Sequence, residues 1–147
     1  MTRPVRAALA LMACVVLLAA CSSGPTAGPV SATVKEWQID LSATKLKAGS
    51  ITFNITNAGD KEHEFVIRKT DLTSDKLPEN ADGTISEDAP ELSPAGDPSE
   101  VAEIKSGSSD RSITLTLQPG HYVIFCNLHV DDLLHYQKGM HVDFTVE

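Results

Sequence analysis

The stretch "CNLHVDDLLHYQKGM", Cys126 to Met140, holds one cysteine, two histidines and one methionine. Those are soft-metal ligands: thiolate and thioether sulfur hold Cu(I) well, and imidazole nitrogen holds Cu(II) as well. Two imidazoles and a thiolate around one ion, with a weak axial thioether, make a site for moving single electrons. Zinc prefers more thiolate or a carboxylate, and catalytic zinc keeps an open position. A further histidine, His63, lies far upstream. The set His63, Cys126, Met140 and one loop histidine is therefore complete with either His129 or His135, and one histidine is left over.

These residues need a frame that brings His63 to the loop. Strand patterns dominate the chain. In "SITFNITN" (50–57) Ile51, Phe53 and Ile55 share one face; in "RSITLTL" (111–117) Ile113, Leu115 and Leu117 do. "VKEWQIDL" (34–41) reads as one strand with Trp37, Ile39 and Leu41 in phase, and "SEVAEIK" (99–105) as another. In "EHEFVIRK" (62–69) His63 shares its face with Phe65 and Ile67, and in "MHVDFTVE" (140–147) Met140 shares its face with Val142, Phe144 and Val146. Period-2 phasing thus points both His63 and Met140 inward. "HYVIFCN" (121–127) is apolar on both faces, as a central strand is, and Cys126 ends it. His121 and His141 fall out of phase with the ligand faces and are expected at the surface. Tyr122 is expected to pack or tie a corner. No convincing amphipathic helix appears in 34–147. Short strands with Gly/Pro turns predict an all-β Greek-key sandwich.

Residues 71–98 do not fit that pattern. They carry eight carboxylates, one lysine and four prolines, and read as a long acidic surface loop that supplies no core. A calcium loop fails here: with Gly83 at the sixth position, Pro78 and Ala89 stand where oxygen ligands belong.

Three segments carry a family resemblance. "LQPGHYVIFC" (117–126) resembles the Pro-Gly-x-Tyr strand that leads to the copper cysteine of cupredoxins, the plastocyanin- and azurin-like blue copper proteins. "HYQKGM" (135–140) resembles the His-x4-Met half of their ligand loop, and "KEHEFVI" (61–67) the segment with the first histidine. The resemblance implies a β-sandwich over 34–147, one type 1 copper ion held by His63, Cys126, His135 and Met140, and a single-electron carrier rather than an enzyme. The chain departs from the short-loop pattern Cys-x2-His-x4-Met. Cys126-x2 reaches His129, whereas His-x4-Met is met by His135 and Met140. His135 is favoured because it keeps the His–Met turn, sharpened by Gly139; "VDDLL" is then an insertion bulging at the surface. His129 remains the alternative ligand. His135 is expected near the surface at one pole, as the exit for the electron.

The 147-residue chain has room for one domain. Residues 1–20 read as a signal peptide: Arg3 and Arg6, then the apolar run "AALALMACVVLLAA", short for a spanning helix. Leu18-Ala19-Ala20-Cys21 resembles the lipobox of bacterial lipoprotein precursors. This implies a lipidated Cys21 and anchoring on the extracytoplasmic face of the cell membrane. The charge-free "SSGPTAGPVSAT" (22–33) then reads as a flexible tether completing the lipidated N-terminus 21–33. Without residues 1–20 the chain has ten bases against twenty acids. Such a balance excludes nucleic acid as a partner and favours a basic one; together with the resemblance this implies a redox protein that is basic at the contact, and a monomer is expected. Of the three cysteines, only Cys126 falls in the domain, so no internal disulfide is possible. A lone thiol outside the cytoplasm must be buried, liganded or reactive.

Two other functions remain open to the same residues. A copper chaperone or buffer would hold Cu(I) without cycling it, but such open sites are rich in methionine, and this domain has Met140 alone. A cysteine nucleophile with a histidine base lacks an oxyanion loop, and Asn127 beside Cys126 is not a triad.

Overall fold

The computed structural model describes residues 24–147. The expected signal peptide and Cys21 lie outside the described residues. Among the described residues twelve strands run β1 (Val30–Lys35), β2 (Gln38–Leu41), β3 (Lys45–Leu46), β4 (Gly49–Asn57), β5 (His63–Lys69), β6 (Ser93–Pro94), β7 (Glu100–Ile104), β8 (Arg111–Leu117), β9 (Gly120–Phe125), β10 (His129–Val130), β11 (Leu133–Leu134) and β12 (His141–Val146). There is no helix among the described residues.

One sheet has the order β2-β1-β4-β8; the other runs β3-β12-β9-β5, with β6 and β7 both on the far edge of β5. β4 pairs antiparallel with β8, setting Ile51 opposite Leu115 and Phe53 opposite Ile113. β1 runs parallel to β4, with Val30 opposite Phe53. The alternation seen in the sequence thus becomes one continuous apolar face. It closes on the second sheet through Phe53, whose ring centroid lies 5.8 Å from Phe65 and 5.6 Å from Phe144. All three rings are buried, and each such side chain taken from water contributes roughly 1.5–3 kcal/mol. Tyr122 stacks on Phe144 at 5.2 Å and its hydroxyl donates to the Gln118 carbonyl at 2.8 Å, which ties the corner entering β9.

Three expectations are corrected. The tether does not extend to residue 33. Thr26 already exchanges main-chain hydrogen bonds with the β3 region, accepting from Lys47 and donating to Lys45, and β1 starts at Val30. The cause is legible afterwards: Val30, Ala32 and Val34 alternate inward and are buried. The single strand over 34–41 is instead a hairpin of β1 and β2, turning at Glu36-Trp37.

The third correction concerns 71–98, which does supply core. Leu77, Ile85, Ala89 and Leu92 are buried against Val66, Val123, Phe125 and Tyr136 on the outer face of the second sheet. β9 is apolar on both faces for this reason: Tyr122, Ile124 and Cys126 enter the main core, while Val123 and Phe125 enter the second cluster. The acids of the segment point outward except Glu87, half-buried and paired with the buried Arg68. Counting charge hid four apolar residues at irregular spacing.

Candidate metal centre

The centre lies at one end of the sandwich. His63 opens β5, where a register irregularity separates it from Phe65. Cys126 follows the last residue of β9, and its N–H donates to the Met140 carbonyl at 3.0 Å. The intervening loop is built from two turns. β10 and β11 form a hairpin through Asp131 and Asp132, both in the left-handed region (φ 52° and 59°). That is the mirror-image turn a two-residue hairpin needs, and Asp tolerates it better than most side chains. The "VDDLL" insertion is this hairpin. A second turn follows: Gly139 N–H donates to Tyr136 O (2.9 Å) and Met140 N–H to His135 O (3.2 Å). Gly139 has φ 111°, and a Cβ there would sit 3.3 Å from the Trp37 carbonyl, so glycine is required.

His63, Cys126 and His135 converge. Cys126 Sγ lies 3.3 Å from His135 Nδ1 and 4.0 Å from His63 Nδ1, and the two Nδ1 atoms are 3.3 Å apart. All three residues are buried. Among the described residues this is one group of possible ligand atoms lying within 4.8 Å of one another. Met140 is fully buried in the same core cluster as Cys126, and its main chain bonds to both Cys126 and His135. His129 is placed elsewhere: it is exposed on β10, opposite Leu134.

The fit to a cation can be tested on these distances. Metal–nitrogen bonds of about 2.0 Å and metal–sulfur bonds of about 2.3 Å in a trigonal plane give edges of roughly 3.5–3.7 Å, and the three observed edges bracket that range. The donor set makes the same demand. Two imidazole nitrogens and one sulfur converge in a single buried cluster, a set of soft and borderline donors that suits copper. His63, Cys126 and His135, with Met140 beside them, fit a single type 1 copper ion.

Burial sets the protonation states. It pushes the Cys126 thiol up to about 12, against the Glu64 and Leu128 N–H groups that favour thiolate. It lowers His135 to about 4, with His63 adding to the effect. It also lowers His63, opposed by the Glu36 carboxylate. Both imidazoles are therefore neutral and able to bind a metal at neutral pH, and the thiol waits for a cation to displace its proton. Burial raises Glu64 to about 7, partly offset by the Asn127 N–H and reinforced by Glu87 and Glu100.

Residues that the spacing did not single out surround the site. Trp37, at the β1–β2 turn, meets the His135 ring edge-on with centroids 5.0 Å apart. His135 is 1% exposed, which corrects the expectation of a surface imidazole. Asn127 ties the loop to the acidic segment: its Oδ1 accepts from Ile85 N–H (2.5 Å), and its Nδ2 donates to Ile85 O (3.0 Å) and Glu87 Oε1 (2.8 Å). Its own N–H donates to Glu64 Oε1 at 2.7 Å, while Glu64 N–H approaches Cys126 Sγ at 3.4 Å. Tyr136 OH accepts from Leu77 N–H at 3.1 Å. His121 and His141 are half-buried rather than free at the surface. His121 bridges Thr70 O and Asp143, and Ser74 Oγ links His141 Nδ1 to Asp143. Position in sequence gave no signal for Trp37, which a straight strand would have sent into the core.

The fold is a cupredoxin-like β-sandwich. Solved structures similar to it include a reduced auracyanin from the photosynthetic bacterium Roseiflexus castenholzii, with a TM-score of 0.55, 21% identity, and coverage of 84% of this chain and 98% of that one. Auracyanin A of Chloroflexus aurantiacus, described as a blue copper protein, has a TM-score of 0.52 and 18% identity over 82% of this chain and all of its own. Rusticyanin from Thiobacillus ferrooxidans has a TM-score of 0.52 and 16% identity over 81% of this chain and 76% of its own. No family model and no curated protein matches the sequence. At these identities the likeness establishes the β-sandwich; the site must be argued from its own residues.

Proposed function

We propose that this protein is a type 1 copper protein that carries single electrons between extracytoplasmic partners, in which His63, Cys126, His135 and Met140 would hold the ion. The observation that carries this reading is the buried triangle of two Nδ1 atoms and one Sγ. Bound copper would supply a one-electron couple between Cu(II) and Cu(I). The chain's own residues do the rest. The main-chain bonds joining Cys126, His135 and Met140 hold the donors close to one geometry, and Trp37 and the core exclude water. The blue copper description of auracyanin A supports the same reading by analogy of fold. A carrier rather than an enzyme is favoured because both imidazoles are buried, which leaves no open position for a substrate.

The signal-like residues 1–20 and the lipobox-like segment ending at Cys21 place the domain, in this proposal, on the outer face of the cell membrane. The acids of 71–98, mostly exposed, suit a redox partner that is basic at the contact, and that attraction should weaken with salt. The test is the visible spectrum of residues 22–147 after addition of Cu(II). An intense thiolate-to-Cu(II) band supports the proposal. A protein that holds only Cu(I), without colour, supports a chaperone or buffer instead.

A further inference from the structure

Glu36 lies at the β1–β2 turn, far in sequence from the metal loop, and its carboxylate has a built seat. Oε1 accepts the Lys61 N–H at 2.5 Å and Oε2 the Asp60 N–H at 3.2 Å. The seat exists because residue 59 is glycine: a Cβ there would overlap the Glu36 carboxylate. Oε1 also lies 3.3 Å from His63 Nε2. That nitrogen is buried and makes no aligned hydrogen bond, so the carboxylate is an acceptor within reach of a proton placed on it. The opposite nitrogen of the same ring, Nδ1, faces Cys126 and His135. The His63 imidazole therefore bridges a fixed carboxylate and the metal centre. The Glu36 carboxyl is itself held below the usual range: its slight burial pushes it up, but its own, the Lys61 and the Asp60 N–H groups together with His63 outweigh that.

We propose that Glu36 is a positioning residue for the copper site and sets its preference between oxidation states. Two effects follow from one contact. A carboxylate at Nε2 fixes the ring proton there, which leaves the Nδ1 lone pair for the metal and makes that nitrogen a stronger donor. Its negative charge, held beside a buried ligand, favours the ion of higher charge, Cu(II) over Cu(I). This inference rests on the copper reading above.

The experiment compares E36Q, G59A and the parent. Glutamine keeps the shape and one oxygen for the Lys61 N–H but removes the charge; alanine at residue 59 keeps the charge but displaces the carboxylate. Midpoint potential and Cu(II) affinity, by chelator competition, are read on the loaded proteins. The His63 tautomer is read by nitrogen NMR on the metal-free ones. E36Q should bind Cu(II) about tenfold more weakly and Cu(I) nearly as well, which raises the potential by about 59 mV. G59A should shift it the same way. The parent should show His63 protonated on Nε2, and G59A a mixture of tautomers. A potential in E36Q equal to the parent's overturns the electrostatic role; an unchanged tautomer in G59A overturns the positioning role. A parent that takes up no copper sinks the copper reading itself, and the tautomer still decides whether Glu36 orients His63.

Discussion

Asn127→Ala tests whether the acidic segment is a structural part of the site or a mobile decoration. The side chain makes three hydrogen bonds to residues 85–87, at 2.5, 3.0 and 2.8 Å. Alanine removes all three and leaves the Ile85 N–H and C=O without those partners, beneath a residue that is 1% exposed. At about 1 kcal/mol per bond the loss is roughly 3 kcal/mol. For a domain of this size that lowers Tm by about 10 °C. The Asn127 main-chain N–H still reaches Glu64, so the variant isolates the side chain. Urea unfolding of the metal-free protein is the assay: the midpoint should fall with the slope unchanged. Asn127→Asp should be worse than alanine, because it turns two donors facing Ile85 O and the Glu87 carboxylate into an acceptor. Asn54→Ala, exposed on β4, should cost less than about 0.5 kcal/mol. A loss below about 1 kcal/mol for Asn127→Ala, or an aspartate variant as stable as the parent, would refute the reasoning.

Cys126→Ser should abolish the thiolate-to-copper colour while far-UV circular dichroism still reports a β domain; a variant that stays coloured contradicts the ligand assignment. His135→Ala should weaken copper binding far more than His129→Ala, since His135 Nδ1 is 3.3 Å from the sulfur and His129 is exposed on its hairpin; competition titration orders the two, and the reverse order means the wrong histidine was chosen. The metal-free protein carries two opposed pH slopes. His135, lowered from 6.5 to about 4, contributes stability that is lost as pH falls through that window, whereas Glu64, raised from 4.5 to about 7, contributes stability that is lost as pH rises through its own. Glu64→Gln should therefore uncover a fall of at least about 1.4 kcal/mol per pH unit between about pH 6.5 and 4, to which the lowered His63 adds, measured by urea unfolding, and a flat profile would count against the buried neutral imidazoles.

The strands that build the sandwich were legible where one face is wet and the other dry. Ile51, Phe53 and Ile55, like Ile113, Leu115 and Leu117, alternate because each faces a single core. The double-sided apolar run of β9 was equally plain, but what covered its outer face was not. Leu77, Ile85, Ala89 and Leu92 follow neither a strand nor a helix period, so only the folded chain shows them as one cluster. The hairpin at Glu36-Trp37 was hidden because Trp37, Ile39 and Leu41 keep a strand's alternation through the bend, and all three lie in or against the main core. His63, Cys126 and His135 stood out by residue type and phase. Their setting did not: the burial of His135 depends on Trp37, far away in sequence, and no local pattern announces such a meeting.

Trp37 is the only tryptophan in the chain, and its ring touches His135. Ultraviolet emission from this protein therefore originates chiefly beside the ligand cluster. An open-shell ion seated there would drain that excited state at contact range, whereas a closed-shell ion would leave it glowing. The fold thus carries its own dye-free optical gauge of whether the cluster is filled, and with which oxidation state.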